Sequence, residues 1–412
     1  MRNNFDDETQ SLNINPNNKI QEINQTQNKE VSTSQEGKII IRNSSFEVLR
    51  IILMYLIILS HIKFHTKAFP NLEEKNYLKI ITGKYIALRI ISNYGSLSDI
   101  IFIMITGYFS IKRLNFNYTK FILIASETYL YHYLFYYLSF ILKDKYKNIE
   151  MLKQKIGSVY FPLTTSLGHW YTQHYLLLLI FMPFINTGLL SLSHEQYKNL
   201  IILIFIFYCI LRSFVNTYKI VSSIFLVNHL LTLILPYIFG AYIRLYDLKY
   251  KKFWKIFGII CLYLTVIFEI ISEYLSLYYK SYIFISYNKE FSLSINSPLS
   301  FICSVGVIAI FKDIKKYNKF INFISGSVLG IYLIHANKNI SPFIYNGWFP
   351  LNDYNEDYFF VKYFIKAFII FVICLIIDII RRFTIGFSIE IILEYLIKFK
   401  KCIKENKNYI II

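Results

Sequence analysis

The sequence predicts an all-α membrane protein, a polytopic bundle of about ten transmembrane helices. Of its 412 residues, 55% are hydrophobic and 18% are aromatic, and the mean hydropathy is +0.41. Charged residues make up 17% of the chain, whereas a soluble protein usually carries about a quarter. Ten long apolar blocks, separated by polar segments, approach the length of about 20 residues that an α-helix needs to cross a bilayer.

The predicted spans follow one another from the first apolar block to the last. They lie near 46–63, 89–111, 119–141, 169–190, 199–215, 223–243, 254–279, 293–311, 320–336 and 358–380. The second and the eighth are the weakest of the ten. Arg89 and Gly95 interrupt the second, and the eighth is short unless it begins near Phe291.

The spans divide the chain into three parts. Residues 1–38 are rich in Asn, Gln and Ser and bury too little apolar surface to order themselves, so we expect a disordered cytoplasmic tail. Residues 39–382 form the transmembrane domain, and 383–412 form an amphipathic, basic cytoplasmic tail. The first residues lack the order typical of a cleavable signal peptide, so we expect the first span to direct membrane entry.

The net charge of +18 comes from 44 Lys and Arg against 26 Asp and Glu. Much of the positive charge lies in short segments beside apolar blocks, among them Lys112–Arg113 and Arg381–Arg382. Orientation signals and contact with anionic lipid explain this pattern better than nucleic-acid binding does. If the N-terminal tail is cytoplasmic, these segments also face the cytoplasm, and so does the C-terminus.

The cysteines occur singly, at positions 209, 261, 303, 374 and 402, and the first four lie in apolar blocks. None has the paired spacing of a metal site, so we interpret them as small core residues and predict neither disulfides nor a bound metal.

Arg50 and His61 are the most informative pair, because both lie in the first apolar block, where polar side chains are expensive and usually functional. Eleven residues are close to three helical turns, so both side chains lie on one face, roughly 16 Å apart. The block therefore carries a guanidinium near its cytoplasmic end and a titratable imidazole near its outer end. Two interpretations of Arg50 stay open: it extends to the inner headgroups, paired with Glu47, or it contacts an anionic ligand.

Three histidines are predicted at one membrane depth. His61 ends the first span, His169 opens the fourth and His335 closes the ninth, all at the outer edge. One histidine near a helix end is usually an interfacial polar residue, but three at one depth favour a functional site.

Other charged residues also fall inside the predicted spans: Arg89, Asp99, Glu127, Glu269, Glu273 and Asp378. Asp99 precedes the string FIMITGYFS, in which Gly107 would permit a close helix approach. Glu269 and Glu273 lie one turn apart in the seventh span, and we interpret them as a partly water-exposed helix surface. No hydrolase, nucleotide-binding or zinc-protease motif is present in a credible context.

Five strings carry a resemblance to a known family. They are RNSSFEVLRIILMYLIILSH, FIMITGYFS at 102–110, HWYTQHYLLLLIFMPFIN at 169–186, PYIFGAYIRLY at 236–246 and GIYLIHAN at 330–337. Together, in this order across about 42–380, they resemble the integral-membrane acyltransferase-3 family, whose members O-acylate cell-envelope and exported sugars.

The resemblance implies roles for particular residues. It makes Arg50 and His61 the essential catalytic pair. It also places Gly107, Trp170, Asn186 and His335 among the motif positions. We expect an outer acceptor site formed by His169, Trp170, Asn186 and His335, and we expect structural roles for Asp99 and Gly107. Some members carry a cytoplasmic Arg-x-x-Arg string after the second span, and this chain has none. Lys112 and Arg113 are the nearest basic residues, so we expect them to contact the donor.

The implied activity is transfer of an acetyl group from cytoplasmic acetyl-CoA, or another acyl-CoA, to a hydroxyl of a polysaccharide or lipid-linked sugar at the cell membrane. No bound cofactor is expected, and His61 would act as general base or as a transient acyl carrier. Peptidoglycan or a free amine stays open as the acceptor. So does another class of protein, a transporter or flippase of glycans that consumes no acyl-CoA, or a purely structural membrane partner.

Overall fold

We analysed a computed structural model, in which the described residues are 43–66, 77–145, 169–218, 229–246, 251–295, 297–347, 349–351 and 353–386. The regular structure of these residues is helical, without strands. The predicted tail 1–38 lies outside them, and so does all of the predicted C-terminal tail except 383–386.

Ten main helices correspond one to one to the predicted spans. They are α1 Ser44–His65, α2 Gly83–Ser110, α3 Tyr118–Lys145, α4 Trp170–Ser191, α5 His194–Thr217, α6 His229–Tyr246, α7 Lys251–Tyr278, α8 Pro298–Lys312, α9 Lys319–His335 and α10 Phe359–Arg381. Shorter segments in the described part are Tyr77–Ile80, Ile283–Asn288 and the π-helical turns Lys289–Leu293, Phe343–Gly347 and Arg382–Gly386.

Among the described helices, six are long and apolar enough to cross a membrane, namely α1, α2, α4, α5, α7 and α10. Three more, α6, α8 and α9, are shorter apolar helices, and α3 is 28 residues long but rich in tyrosine. The predicted class, a helical membrane bundle, is confirmed.

The boundaries differ from the prediction at the two weakest spans. Helix α2 runs unbroken through Arg89 and Gly95, and the side chain of Thr82 caps its start. Helix α8 does not extend back toward Phe291, because the Ser297 side chain caps it and Pro298 opens it. A separate π-helical turn occupies 289–293 instead.

Helices α1 and α2 form the centre of the bundle. In their most apolar stretches 61% of the residues are buried, against 28% in α5 and 33% in α7. The two central helices are antiparallel: Phe46 stacks on Tyr108 at 5.4 Å between ring centroids, and Gly95 lies against Ser60. The helix that carries Arg50 and His61 is therefore surrounded by protein along most of its length.

Glycines let two helices touch backbone to backbone. A Cβ atom on Gly107 of α2 would overlap the carbonyl of Tyr237, and one on Gly240 of α6 would overlap the carbonyl of Met104. Such contacts between small residues are a common way for membrane helices to associate. Gly107 thus fixes α6 against the central helix.

A buried charge cluster joins α2 to α7. Arg89 forms ion pairs of 2.6 Å with Glu269 and 2.8 Å with Glu273, and both carboxylates are fully buried. Asn288 donates a further hydrogen bond to Glu269. The interpretation of the glutamates as a partly water-exposed surface is therefore wrong, because Arg89 supplies their counter-charge from the neighbouring helix.

Replacing Arg89 by methionine leaves Glu269 and Glu273 without their direct partner. Breaking a buried ion pair from one side typically costs about 3–5 kcal/mol, so we expect Arg89→Met to lower the melting temperature in detergent markedly. Lys255→Met is the control, because the Lys255–Asp313 pair is 32% and 38% exposed and contributes little. Equal melting temperatures for the two variants would contradict this account.

Candidate functional site

Three helices bring the predicted outer histidines into one group. The rings of His61 on α1 and His335 on α9 lie 5.1 Å apart, centroid to centroid. His169, at the start of α4, packs at 5.5 Å against Tyr332, one turn before His335. His65 follows His61 at 5.8 Å. We call His61, His65, His169 and His335 the outer histidine cluster, following the predicted orientation.

His335 has a fixed tautomer. Its Nδ1 lies 2.6 Å from the carbonyl oxygen of Ile331, and since a carbonyl only accepts, Nδ1 carries the hydrogen. In the neutral ring, Nε2 then keeps its lone pair, and this buried nitrogen has no hydrogen-bond partner among the described residues. Nδ1 of His61 is also buried without a hydrogen-bond partner among the described residues. Two imidazole nitrogens are thus available to accept or deliver protons.

A run of tyrosines continues from this cluster toward the other end of the bundle. Tyr332 packs at 6.1 Å against His335 and at 5.7 Å against Tyr171, and Tyr171 stacks on Tyr175 at 6.1 Å. Since α4 runs away from the outer end, each step lies deeper. We call His61, His335, Tyr332, Tyr171 and Tyr175 the polar column.

Asp99 faces the column from α2. Its carboxylate interacts electrostatically with Tyr171 and Tyr332. Because Gly95 lies level with Ser60, Asp99 lies about one turn deeper than His61, between His61 and Arg50. The side chains of Asp99 and Tyr171 are both partly exposed.

Two basic side chains lie near Tyr175, at the inner end of the column. Lys120 of α3 donates a 2.7 Å hydrogen bond to the hydroxyl of Tyr175, and Arg50 interacts electrostatically with the same tyrosine. The geometry thus sets positive charge at one end of the column and imidazoles at the other.

Arg50 is held in place by its own helix. Its Nη1 forms a 2.6 Å ion pair with Glu47, one turn earlier, and Glu47 also accepts from Ser325 of α9. The Arg50 side chain stays 24% exposed. The pairing with Glu47 is therefore present, and it fixes the guanidinium without burying it completely.

The predicted donor residues lie elsewhere. Lys112 and Arg113 are exposed on the turn that follows α2. Asn186, near the end of α4, donates to the backbone carbonyls of Ser110 and Arg113 at 2.8 and 2.7 Å and accepts from Tyr237. The structure therefore places Asn186 at the opposite end of α4 from His169, where it fixes this turn and does not reach the outer histidine cluster.

Trp170 is the first residue of α4, next to His169. Its ring meets Tyr171 edge-on at 5.9 Å, and its carbonyl lies 2.6 Å from Nδ1 of His174. It lies at the outer end, within one residue of the histidine cluster.

Sequence reasoning missed several residues of the site: His65, Lys120, Tyr171, Tyr175 and Tyr332. The four-residue spacing of Tyr171 and Tyr175, and of His61 and His65, carried a usable signal, because side chains four apart share a helix face. Nothing in the sequence around Lys120 indicated that it meets Tyr175.

A family model described as an acyltransferase domain matches residues 43–379. The match begins at the cap of α1 and ends inside α10, so it includes every residue of the polar column. No curated protein and no solved structure matches the chain.

The partly exposed side chain of Asp99 should be reachable by water. In a Cys402→Ser background, whose other four cysteines are buried, we expect Asp99→Cys to react with a small hydrophilic thiol reagent. Ile100→Cys is the matched control, because Ile100 is 1% exposed, and it should not react. Labelling is measured by mass spectrometry of the purified protein. An unreactive Asp99→Cys would mean that position 99 faces lipid or solid protein.

Proposed function

The chain belongs to the acyltransferase-3 family, and from this premise we propose that it moves an acetyl group from cytoplasmic acetyl-CoA to a hydroxyl of a cell-envelope or exported polysaccharide. Membership and the helical bundle make it a membrane acyltransferase. The donor, the acceptor and the location in the cell membrane are the proposal. The observation that carries it is the polar column between two basic side chains and a histidine cluster.

Donor and acceptor meet from opposite sides in this proposal. Acyl-CoA is made inside the cell, whereas envelope glycans are modified outside it or during export. A protein that joins them needs a polar route through the bilayer, and polar side chains inside spans are how such routes are lined. The column, with Asp99 beside it, has this character from Tyr175 to His61.

The inner end suits an anionic donor. Lys120 contacts Tyr175, and the charge of Arg50 also acts on this tyrosine; cations of this kind bind phosphate groups. Eleven residues of helix place Arg50 about 16 Å from His61, a distance comparable to the length of an extended pantetheine arm. A donor whose phosphates stay at the inner end would then present its thioester to the histidines. Lys112 and Arg113 would attract it at the surface.

The outer end suits proton transfer. The acceptor hydroxyl oxygen attacks the thioester carbon while His61, as general base, takes the hydroxyl proton. The carbon–sulfur bond breaks, and the imidazolium returns the proton to the departing thiolate. His335, with its Nε2 lone pair beside His61, is placed to share this proton. In the second route a ring nitrogen of His61 attacks the thioester carbon and the carbon–sulfur bond breaks to release the thiolate. The acceptor oxygen then attacks the acyl carbon, the bond to His61 breaks, and the hydroxyl proton passes to the thiolate.

The acceptor would enter at the outer end of α4. His169 and Trp170 lie there, and the indole of Trp170 offers a flat apolar surface on which a sugar ring packs. Asn186 has no part in this pocket, because it holds the turn at the other end of α4.

His61→Ala should reduce transfer strongly while leaving the protein in the membrane. A general base contributes about 10²–10⁴ in rate, so we expect a loss of at least a hundredfold. The assay follows label from radiolabelled acetyl-CoA into added glycan with purified protein. His194→Ala is the control, because His194 is exposed and its ring contacts among the described residues are with α6. Undiminished transfer by His61→Ala would remove the proposed base, and glycan movement without acetyl-CoA consumption would support a transporter instead.

Lys120→Met should weaken donor binding. A hydrogen bond to a charged group is worth about 1.5–3 kcal/mol, so we expect the KM for acetyl-CoA to rise roughly tenfold or more. With S-acetylpantetheine, which lacks the phosphates, Lys120→Met and wild type should behave alike.

Lys198→Met is the matched control for this measurement, because Lys198 of α5 is 51% exposed and pairs with Glu195. A rise in KM for Lys112→Met, on the exposed turn before α3, as large as that for Lys120→Met would instead assign the donor phosphates to that surface turn.

A further inference from the structure

One lysine inside a span has no place in the mechanism above. Lys366 lies two turns into α10 and is 0% exposed. Its described polar contacts are two backbone carbonyls: Nζ donates to Tyr345 at 2.6 Å and to Phe349 at 3.0 Å. Burying this group costs free energy that a methionine of similar shape would not cost. We therefore interpret Lys366 as a side chain whose role is to hold these two carbonyls.

The first of these carbonyls belongs to a turn that contacts the outer histidine cluster at His65, and the second lies just after that turn. The π-helical turn Phe343–Gly347, which we call the outer cover, contacts His65 twice. The ring of Tyr345 stacks on the His65 ring at 5.1 Å with an interplanar angle of 17°, and Asn346 donates a 2.9 Å hydrogen bond to the His65 carbonyl. Tyr345 is fully buried.

The chain after the cover is in an unfavourable conformation. Phe349 has a φ of +50°, a left-handed conformation that is unfavourable for a non-glycine residue and persists only where the surroundings hold it. Lys366 accounts for that, because one Nζ atom ties the carbonyl of the cover to the carbonyl of Phe349. Without this clasp the segment loses the contacts that oppose its relaxation.

We propose that Lys366 is a positioning residue, which clasps the outer cover over the histidine cluster and so keeps water from the acyl group until the acceptor hydroxyl is in place. The proposal rests on the acyl transfer proposed above. Water is the competing acceptor in any such site, and exclusion of water is a recognised task of covering segments.

The competing reaction is hydrolysis of the thioester. The oxygen of water forms the bond to the acyl carbon, the carbon–sulfur bond breaks, and the thiolate receives the proton that water gave to the imidazole. Acetate and coenzyme A are the products. A loosened cover should therefore divert donor from transfer to hydrolysis, whereas general damage to the bundle would lower both.

The test compares transfer with hydrolysis in purified protein supplied with radiolabelled acetyl-CoA and glycan. We expect Lys366→Met to raise the ratio of acetate formed to glycan acetylated about tenfold. Lys366→Arg, whose guanidinium donates to both carbonyls, should restore a ratio near that of wild type. Lys362→Met is the matched control, because Lys362 lies one turn earlier on α10, is 44% exposed and pairs with Glu356, and its ratio should not change.

Asn346→Ala serves as a second variant if Lys366→Met fails to fold, since it loosens the cover from its His65 side. It should raise the same ratio. If the ratio of acetate to acetylated glycan stays at the wild-type value in Lys366→Met, the role of Lys366 is overturned. If Lys366→Met does not fold, an unchanged ratio in Asn346→Ala overturns it. Absence of both transfer and hydrolysis in wild type would instead overturn the proposed function.

Discussion

The hydrocarbon interior of a bilayer leaves a buried polar group only protein partners, and this constraint organises the molecule. The Arg89 cluster meets it by placing one cation from α2 against two carboxylates from α7. A second cluster meets it near the end of α10, where Arg381 pairs with Glu127 and Asp378. Both clusters place charged side chains inside the bundle, and their ion pairs join neighbouring helices.

The same constraint explains why the groups of the polar column lie together. Tyrosine hydroxyls and imidazole nitrogens inside spans are retained where they meet one another or an internal water-accessible space. The column has different chemistry at its two ends, with Arg50 and Lys120 near Tyr175 and histidines at the other. In the proposed function this difference gives the column a direction, with the anionic donor at the cationic end and proton transfer at the imidazole end.

The outer histidines depend on surroundings that belong to other parts of the chain. The backbone of α9 fixes the tautomer of His335, and α10 holds the outer cover through Lys366. Helix α1 carries His61 and His65, but α9 and the cover decide what these rings meet. The imidazoles of one helix are thus positioned by helices distant in sequence, which is the usual way that rigid scaffolds fix side chains.

The sequence alone determined the helical membrane class and the place of all ten helices, because apolar blocks of bilayer length are a local property. It also determined that Arg50 and His61 share a face, since helical periodicity fixes that without any neighbour. Only the tertiary structure decided which side chains contact one another. Arg89 and the glutamates of α7, or Lys120 and Tyr175, are far apart along the chain, and helix packing alone brings them together. Asn186 likewise belongs to the inner turn because α4 carries it about 25 Å from His169, a separation that a shared motif string hides.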